Sequence, residues 1–531
     1  MSLTSALSNA TSGLRAVSAQ ISAASNNISN ANTSGYSTKT QQVSTAVNGT
    51  STDGVKLGAV TRDVDQYLLA DKLSATSENA SASYSDYVLG QLTDAYGTST
   101  SGNSFANQFS SLQSAFSTLQ ATPNSTTLQT EVVTKATNLA NSINSAGKEV
   151  TSLRTESQNQ MTTSVSAINT DLNQINTLNS TIVAGQAAGQ SVADLQDQRD
   201  KYLTDLSSQI GITYYTTSSG AVQISTAGGA TLLDSTVHSL SFTANNVTAS
   251  SQYVAGSTSG SPVLQGIYVD GSDITSSLGT SGTLGAAINL RDNVLPQAQG
   301  QLDEYATELT NGFSQFQVTT TTTNPTTTAA LQLFQDSSSS APDYSTGTTT
   351  AATSYSAGIA TRIEVNPTVA SNVWMVRDGN VSISGGTAST QTESSNSGNS
   401  TLLGALVSQT QTTSSTSSST GSPLEGTITF SSTVTPSASA VSLNLTTSAT
   451  LADYATSIIG YQSTQKATAS SSYTSAASYL TTATTNLSNQ SSVSLDVELE
   501  KLVTLQNSYS AVAKTISTVN SMYGDLLGIV G

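Results

Sequence analysis

The chain has 531 residues, enough for about three or four domains, and its net charge of −17 comes from 16 Lys and Arg against 33 Asp and Glu. The cations form no cluster, which excludes the attraction to phosphate backbones on which nucleic-acid binding depends. With no Cys and one His, the sequence also excludes disulfides, thiolate nucleophiles and His-rich metal sites.

The first predicted element is a long helix at the start of the chain. Its apolar residues recur with alternating spacings of three and four, the pattern of a heptad seam. The seam consists of Leu3, Leu7, Ala10, Leu14, Val17, Ile21, Ala24 and Ile28. We predict one helix over 3–28, which ends at an Asn-rich turn over 30–36 where Gly35 can adopt a positive φ.

The middle of the chain repeats this helical pattern. Apolar residues at helical spacing predict helices over 64–96, 104–185, 193–210 and 283–317. The clearest seam among them runs from Met161 to Ile182. Long helices of this kind pack side by side in antiparallel bundles.

Two stretches have the composition of strands and turns instead. Residues 211–280 contain short β-rich runs separated by Gly and Ser, and residues 318–446 are dominated by Thr, Ser and Gly. Strand-like pieces occur at 425–432 and 440–446. The Thr run at 319–323 and the Ser/Thr run at 414–419 have low complexity, and we expect both to be mobile.

The last predicted element is a second long amphipathic helix. Its apolar residues are Leu495, Leu499, Leu502, Leu505, Tyr509, Val512, Ile516, Val519, Tyr523, Leu526 and Val530. Ser494 can cap this helix, and Asp496 and Glu498 lie in its first turn, where the helix dipole favours negative charge.

These elements predict an α+β fold, in which both ends of the chain form a long antiparallel helical bundle with inserted β-rich outer domains. We expect terminal coiled-coil helices from 1–45 and 485–531. A helical bundle domain would comprise 46–210, 283–317 and 450–484. The β-rich, Ser/Thr-rich outer domains would comprise 211–282 and 318–449.

Charged groups that could suggest catalysis have simpler interpretations. Asp197, Arg199 and Asp200 lie at helical spacing with no nucleophile or base nearby in sequence, so a solvated or salt-bridged face is expected. His238 follows Asp234 in a strand-and-turn region and is expected to be a surface histidine. We therefore predict no catalytic, cofactor-binding or metal-binding residues, no cofactor and no enzymatic activity.

The distribution of apolar residues bears on membrane insertion and on the route of secretion. No stretch reaches the roughly 18 to 20 apolar residues of a membrane span, and the start of the chain lacks a basic and then apolar signal peptide. We expect a soluble protein without membrane insertion that, if it is secreted, is secreted without a cleaved signal peptide.

Three motifs resemble those of one family. The turn Ala31-Asn32-Thr33-Ser34-Gly35-Tyr36 resembles the Ala-Asn-Thr-x-Gly-Tyr turn that follows the first helix in axial proteins of the bacterial flagellum. The segment from Leu195 to Asp200 resembles the internal Leu-x-Asp-Gln-Arg-Asp helix of the hook-associated protein 1 (FlgK) family. The segment from Val493 to Leu499 resembles the start of that family's closing helix.

The resemblance implies a structural role at the junction between hook and filament. Subunits would be exported through the flagellar type III apparatus and would assemble outside the cell through both terminal helices. The implied partners are further copies of the chain in a ring, the hook protein, the second junction protein, the filament and an export chaperone. The implied assembly interface comprises Leu3, Leu7, Leu14, Val17, Ile21, Ile28, Asn32, Gly35, Tyr36, Leu495, Leu499, Leu502, Tyr509, Val512, Ile516, Val519, Tyr523 and Leu526.

Other classes of protein remain open at this stage. The turn motif also permits a rod or hook subunit, and the Ser/Thr-rich stretches permit a secreted adhesin or surface-layer protein. A glycosidase would need two carboxylates about 5 to 9 Å apart in a cleft, a pairing that could form across domains.

Overall fold

A computed structural model describes residues 3–48, 51–98, 101–256, 263–320, 327–338, 355–384, 387–390, 393, 400–408 and 422–530. Its helices are α1 (Leu3–Asn30), α2 (Gln66–Tyr96), α3 (Phe105–Ala121), α4 (Thr126–Ala187), α5 (Ala193–Gln209), α6 (Gly282–Asn289), α7 (Leu295–Gln315), α8 (Pro367–Ser371), α9 (Met375–Asp378), α10 (Ser400–Ser408), α11 (Leu451–Ser491) and α12 (Leu495–Val530). A π-helical turn, Leu290–Val294, joins α6 to α7. Within the described part of the chain, no helix is both long and apolar enough to cross a membrane.

Side-chain caps explain where three of the long helices begin. Asp65, Ser125 and Thr450 each accept a hydrogen bond from a backbone N–H in the first turn of α2, α4 and α11 respectively. The helices predicted within 104–185 are α3 and α4, and Pro123, which cannot continue a helix, falls between them. The other predicted helices are present with bounds close to those expected.

Apart from β1 and β2 the strands are short, and almost all are antiparallel. They are β1 (Lys39–Asn48), β2 (Ser51–Arg62), β3 (Ile212–Thr216), β4 (Val222–Thr226), β5 (Thr231–Leu233), β6 (Leu240–Ser241), β7 (Gln252–Tyr253), β8 (Val263–Leu264), β9 (Tyr268–Val269), β10 (Ser272–Asp273), β11 (Gln317–Thr320), β12 (Thr327–Ala330), β13 (Phe334–Asp336), β14 (Ile363–Val365), β15 (Val381–Ser384), β16 (Thr387–Thr390), β17 (Ile428–Thr429), β18 (Thr433–Val434), β19 (Val441–Ser442) and β20 (Ser448–Ala449).

These strands form small sheets rather than one layer. The sheet orders are β1-β2, β3-β4-β5, β10-β9-β6, β11-β12-β15-β16, β7-β8, β13-β14, β17-β20 and β18-β19, and among these described strands only β7 and β8 pair in parallel. Thr319 and Thr320, from the predicted mobile Thr run, lie in β11. The rest of that run and the 414–419 run lie outside the described residues.

Two hydrophobic cores stabilise the part of the chain from α2 to α11, which we call the body. The larger core joins α3, the first half of α4, α7 and the start of α11 to segments between Ala329 and Phe430. The smaller core joins the second half of α4, α5 and α6 to β4, β5, β6 and β9. The β-rich segments therefore pack into the same cores as the helices, and the predicted domain boundaries stay a prediction.

The two ends of the chain form a separate layer of structure. Helices α1 and α12 pack antiparallel, with the Thr4 hydroxyl 2.9 Å from the Tyr523 hydroxyl. The β1–β2 hairpin, which the sequence analysis did not predict, packs against α1, where the Val55 N–H donates to Ser12 Oγ at 3.2 Å. We call α1, this hairpin and α12 the terminal unit. The predicted α+β class, with long terminal helices packed together and small inserted sheets, is confirmed.

Candidate assembly interface

Eleven of the eighteen predicted interface residues are buried or half-buried on α1 and α12, the two helices that pack together. Leu502, Val512, Ile516 and Tyr523 on α12 are half-buried and Val519 is buried, while the predicted apolar residues of α1 are all half-buried. Those α1 residues are Leu3, Leu7, Leu14, Val17, Ile21 and Ile28. The heptad pattern thus describes first of all a contact within one chain.

The other predicted residues of α12 are open to solvent. Leu495, Leu499, Tyr509 and Leu526 remain exposed, with Leu499 half accessible at 50%. Four further exposed apolar residues of the same helix were not predicted from the sequence: Val497, Val503, Met522 and Leu527. They lie off the heptad positions, and the only sequence signal for them is that α12 is apolar on more than one face. A helix with so many uncovered apolar side chains is typical of an interaction surface.

The turn motif fixes the end of α1 against β1. Gly35 has φ of +81°, as predicted for this turn, and both Gly35 and Asn32 are exposed. Tyr36 is half-buried, and its hydroxyl donates to Asn27 Oδ1 at 3.0 Å. The Asn27 side chain in turn pairs with the Lys39 backbone, accepting at 3.1 Å and donating at 2.9 Å. Lys39 Nζ lies 3.9 Å from the centre of the Tyr36 ring and forms a cation–π contact with it.

A group of charged residues joins the terminal unit to the body, and we call it the charged clasp. It comprises Ser37, Lys39 and Arg62 from the terminal unit and its connections, and Asp194, Asp197 and Asp200 from α5. Arg62 Nη1 lies 3.2 Å from Asp197 Oδ1 and 2.5 Å from Asp200 Oδ2. Ser37 Oγ donates to Asp197 Oδ1 at 2.6 Å. Lys39 Nζ lies 3.3 Å from Asp197 Oδ2 and also pairs with Asp194.

The clasp is largely shielded from water. The side chains of Lys39 and Arg62 are 7% and 8% exposed, and that of Asp197 is 10% exposed. Burial raises the pKa of Asp200 despite the Arg62 guanidinium beside it. Burial alone would lower the pKa of Arg62, but Asp200 and Asp197 outweigh it and the pKa of Arg62 is raised. Asp194 is exposed, but each of the other charges in the clasp depends on its partners.

The three charged residues of the Leu195–Asp200 motif point in two directions. Asp197 and Asp200 enter the clasp, whereas Arg199 is buried against the β3–β4 turn and donates to Asn179 Oδ1 at 3.2 Å and to the Gly220 carbonyl at 2.7 Å. Burial lowers the pKa of Arg199 to about 10. The salt-bridged interpretation is confirmed for Asp197 and Asp200, which pair with Arg62, whereas the partners of Arg199 are neutral. The solvated alternative is wrong, because the β1–β2 hairpin and the β3–β4 turn cover it.

The remaining charged candidates are His238 and the acidic residues at the start of α12. His238 Nδ1 lies 2.5 Å from Asp270 Oδ2, and Nε2 lies 3.4 Å from Asp234 Oδ1, on a partly exposed loop. The Asp270 hydrogen bond raises the pKa of His238. Asp496 and Glu498 lie in the first turn of α12, as predicted. Across the described ranges, no group of three or more His, Asp or Glu side chains is arranged to hold a metal ion.

Sequence comparisons agree with this arrangement. Residues 89–334 match the family described as the flagellar hook-associated protein FlgK helical domain. Residues 7–36 match the flagella basal body rod protein family, and residues 485–529 match the C-terminal segment of the flagellar basal body rod FlgEFG proteins. The two rod-type matches thus cover much of α1 and α12.

Two individual proteins are similar over part of their length. Flagellar hook-associated protein 1 of Escherichia coli (strain K12) is 24% identical over 324 residues, which are 59% of this chain and 57% of that protein. The chain therefore matches a little over half the length of this relative. The structure of the flagellar hook junction protein FlgK from Burkholderia pseudomallei has a TM-score of 0.40 and 23% identity, covering 50% of this chain and 46% of that one.

The segments at both ends are similar to those of flagellar rod-type axial proteins. The segment between them is similar to the helical domain of FlgK, so the chain is FlgK-like. That family is a structural component of the flagellum rather than an enzyme family.

Proposed function

We propose that this chain is a structural subunit of the junction between flagellar hook and filament, and that it assembles through α1 and α12 after type III export. The observation that carries the proposal is the uncovered apolar surface of α12, which includes Leu495, Leu499, Val503 and Leu526. Burying a side chain of this size between subunits would stabilise the assembly by about 1.5 to 3 kcal/mol. Neighbouring subunits would supply that burial.

The separation of the terminal unit from the body supports the same role. Neither hydrophobic core contains a described residue of α1 or α12, so the body does not need these helices for its own packing. An isolated helix pair with one thin seam is marginal in water. We infer that α1 and α12 are weakly ordered in the free chain and become stable when further copies cover them.

The proposed partners follow from this role. They are further copies of the chain in a ring, the hook protein on one side, and the second junction protein and filament on the other. An export chaperone would cover the exposed face of α12 before secretion through the type III apparatus. The protein would then lie outside the cell as part of the flagellum, with no enzymatic activity.

The rod or hook alternative draws on the rod-type segments at the two ends. Those segments are common to axial proteins, whereas the match over 89–334 is to the hook-associated helical domain. The adhesin alternative would need β-rich modules that stand apart from the helices. Both β-rich segments instead contribute side chains to the helical cores.

A charge on the exposed face of α12 tests the proposal. Leu499→Asp should abolish swimming and filament attachment, because it would place a charge in an apolar contact between subunits. The folded chain should tolerate the change, since Leu499 is 50% exposed. Motility in soft agar and electron microscopy of the hooks provide the measurement.

Tyr87→Asp is the matched control, because Tyr87 is 54% exposed on α2, in the body of the molecule. Cells with this variant should swim normally. Normal swimming and attached filaments with Leu499→Asp would contradict the proposal. Leu502 is a poorer test site because it is half-buried along the α1–α12 contact, so a charge there would also disturb the chain itself.

A further inference from the structure

A cleft opens between α1 and the β1–β2 hairpin. Its volume is about 560 Å³, and Leu7, Val55 and Leu57 give it an apolar wall with Ser8 at the rim. Val55 and Leu57 are 37% and 40% exposed, so the hairpin leaves apolar surface uncovered here. We call this site the hairpin cleft.

One cation lines this cleft. Arg15 is exposed and forms no ion pair with any described residue. The surrounding segment is unusually basic for this chain: residues 3–62 contain Arg15, Lys39, Lys56 and Arg62 against Asp53, which is 4 − 1 = +3, whereas the whole chain carries −17. A helix that offers both leucines and carboxylates would complement this site in shape and in charge.

The start of α12 has that combination. Leu495 and Leu499 are exposed one helical turn apart, and Asp496 and Glu500 are exposed beside them. Neither carboxylate forms an ion pair with a described residue. This is the most acidic part of α12, since Asp496, Glu498 and Glu500 fall within five residues.

The two surfaces cannot meet within one chain. Helices α1 and α12 are antiparallel with Thr4 beside Tyr523, so Arg15 lies level with about residue 512. Glu500 is then some 12 residues away along the helix, or about 18 Å at 1.5 Å per residue. The cleft and the start of α12 can therefore meet only between different molecules.

We propose that the hairpin cleft of one copy binds the first turns of α12 from a second copy, with Leu499 in the cleft and Glu500 beside Arg15. Such a contact joins two different surfaces of the same chain, and contacts of this kind generate rings or helical arrays. The inference rests on the proposed assembly through the terminal helices, and it adds which surfaces meet.

Introduced cysteines test the contact directly, because the chain has no Cys of its own. A strain without the native gene would express two differently tagged copies, one with Ser8→Cys and the other with Leu499→Cys. Flagella would be isolated, mildly oxidised and analysed on a non-reducing gel. We expect a disulfide-linked dimer that carries both tags.

Lys56→Cys, in place of Ser8→Cys, is the matched control. Lys56 lies between Val55 and Leu57 on β2, so strand alternation directs its side chain away from the cleft. Its yield of mixed dimer should be about tenfold lower. Equal yields from positions 8 and 56 would overturn the proposal, as would a cross-link from position 8 only to another axial protein.

Charge reversal provides a second test of the proposed contact. Arg15→Glu in the Ser8→Cys copy should lower the mixed-dimer yield about tenfold, and Glu500→Arg in the Leu499→Cys copy should restore it. Asp525→Arg, at the far end of α12, should not restore it. Flagella that contain the chain but yield no mixed dimer would overturn this contact alone. Absence of the unsubstituted chain from flagella would instead overturn the proposed function.

Discussion

Arg62 is the residue through which the charged clasp connects two separate parts of the chain. Its guanidinium reaches both Asp197 and Asp200 on α5, and its side chain is 8% exposed. Removing one partner of a buried ionic group is costly because the opposite charges are left without compensation. The clasp therefore controls how firmly the terminal unit is held to the body.

Arg62→Gln should release the terminal unit without unfolding the body. We expect the free energy of local opening over residues 31–64 to fall by about 3 kcal/mol. Hydrogen exchange followed by mass spectrometry would show faster exchange in these residues and unchanged exchange in α3 and α4. Lys148→Gln, at an exposed lysine of α4, is the control. Unchanged exchange over 31–64 in Arg62→Gln would show that the clasp does not secure this segment.

Glu308 on α7 makes the larger core sensitive to pH. Burial, with a smaller contribution from the charge of Glu304, raises the pKa of Glu308 from 4.5 to about 7. The folded state thus holds the proton more tightly than the unfolded chain does. The contribution of this group to stability is fully present below about pH 4.5 and is lost as the pH rises through 7.

Glu308→Gln should remove most of this dependence. The free energy of unfolding of the variant, measured relative to that of the original chain, should rise by about 2 to 3 kcal/mol between pH 5 and pH 8. Urea unfolding can be followed at Trp374, the one tryptophan in the sequence, which packs against the larger core. The control is Glu131→Gln, at an exposed position on α4. The prediction fails if the two variants show the same change in urea midpoint between pH 5 and pH 8.

Among the elements, the helices were predictable because apolar periodicity is a local property of the sequence. The seam from Met161 to Ile182 is an example, since all of its residues except the half-buried Leu178 are buried in α4 as the pattern indicates. The β1–β2 hairpin was not predictable in the same way. Its strands carry Gln41 and Gln42 in succession and contain two register shifts, which break the alternation that identifies a strand.

The clasp shows a different limit of sequence reasoning. The charges of α5 were recognisable as a group, but Lys39 and Arg62 lie more than 130 residues away in the chain. No feature of the neighbouring sequence indicates that the hairpin places Lys39 and Arg62 against α5. The exposed side of α12 was missed for a related reason, because a heptad seam describes one face of a helix and Val497 and Val503 lie on others.

Helix α12 should be dispensable for folding of the body. Deletion of residues 495–531 should leave the Trp374 fluorescence and the urea midpoint of the body unchanged, because neither core includes a described α12 residue. Deletion of 451–531 is the contrasting variant. It removes Leu451, Tyr454, Ile458 and Ile459 from the larger core and should unfold it. A body that unfolds without α12 would show that α12 is an ordinary bundle helix.

At the scale of the whole molecule, a stably packed body carries a terminal unit with little core of its own. The body keeps its apolar side chains in two shared cores, whereas α12 exposes Leu495, Leu499, Leu526 and Leu527 to solvent. This division suits a subunit that is complete only within an assembly. The polar clasp, rather than an apolar contact, then connects the assembling part to the rest.

The central claim is that this chain connects the flagellar hook to the filament. The most direct measurement is to delete its gene, image the hooks by electron microscopy and measure flagellin in the medium. We predict hooks that end without a filament, with flagellin released as monomer, and restoration of filaments by the native chain but not by Leu499→Asp. Normal filaments on the hooks of the deletion strain would contradict the account.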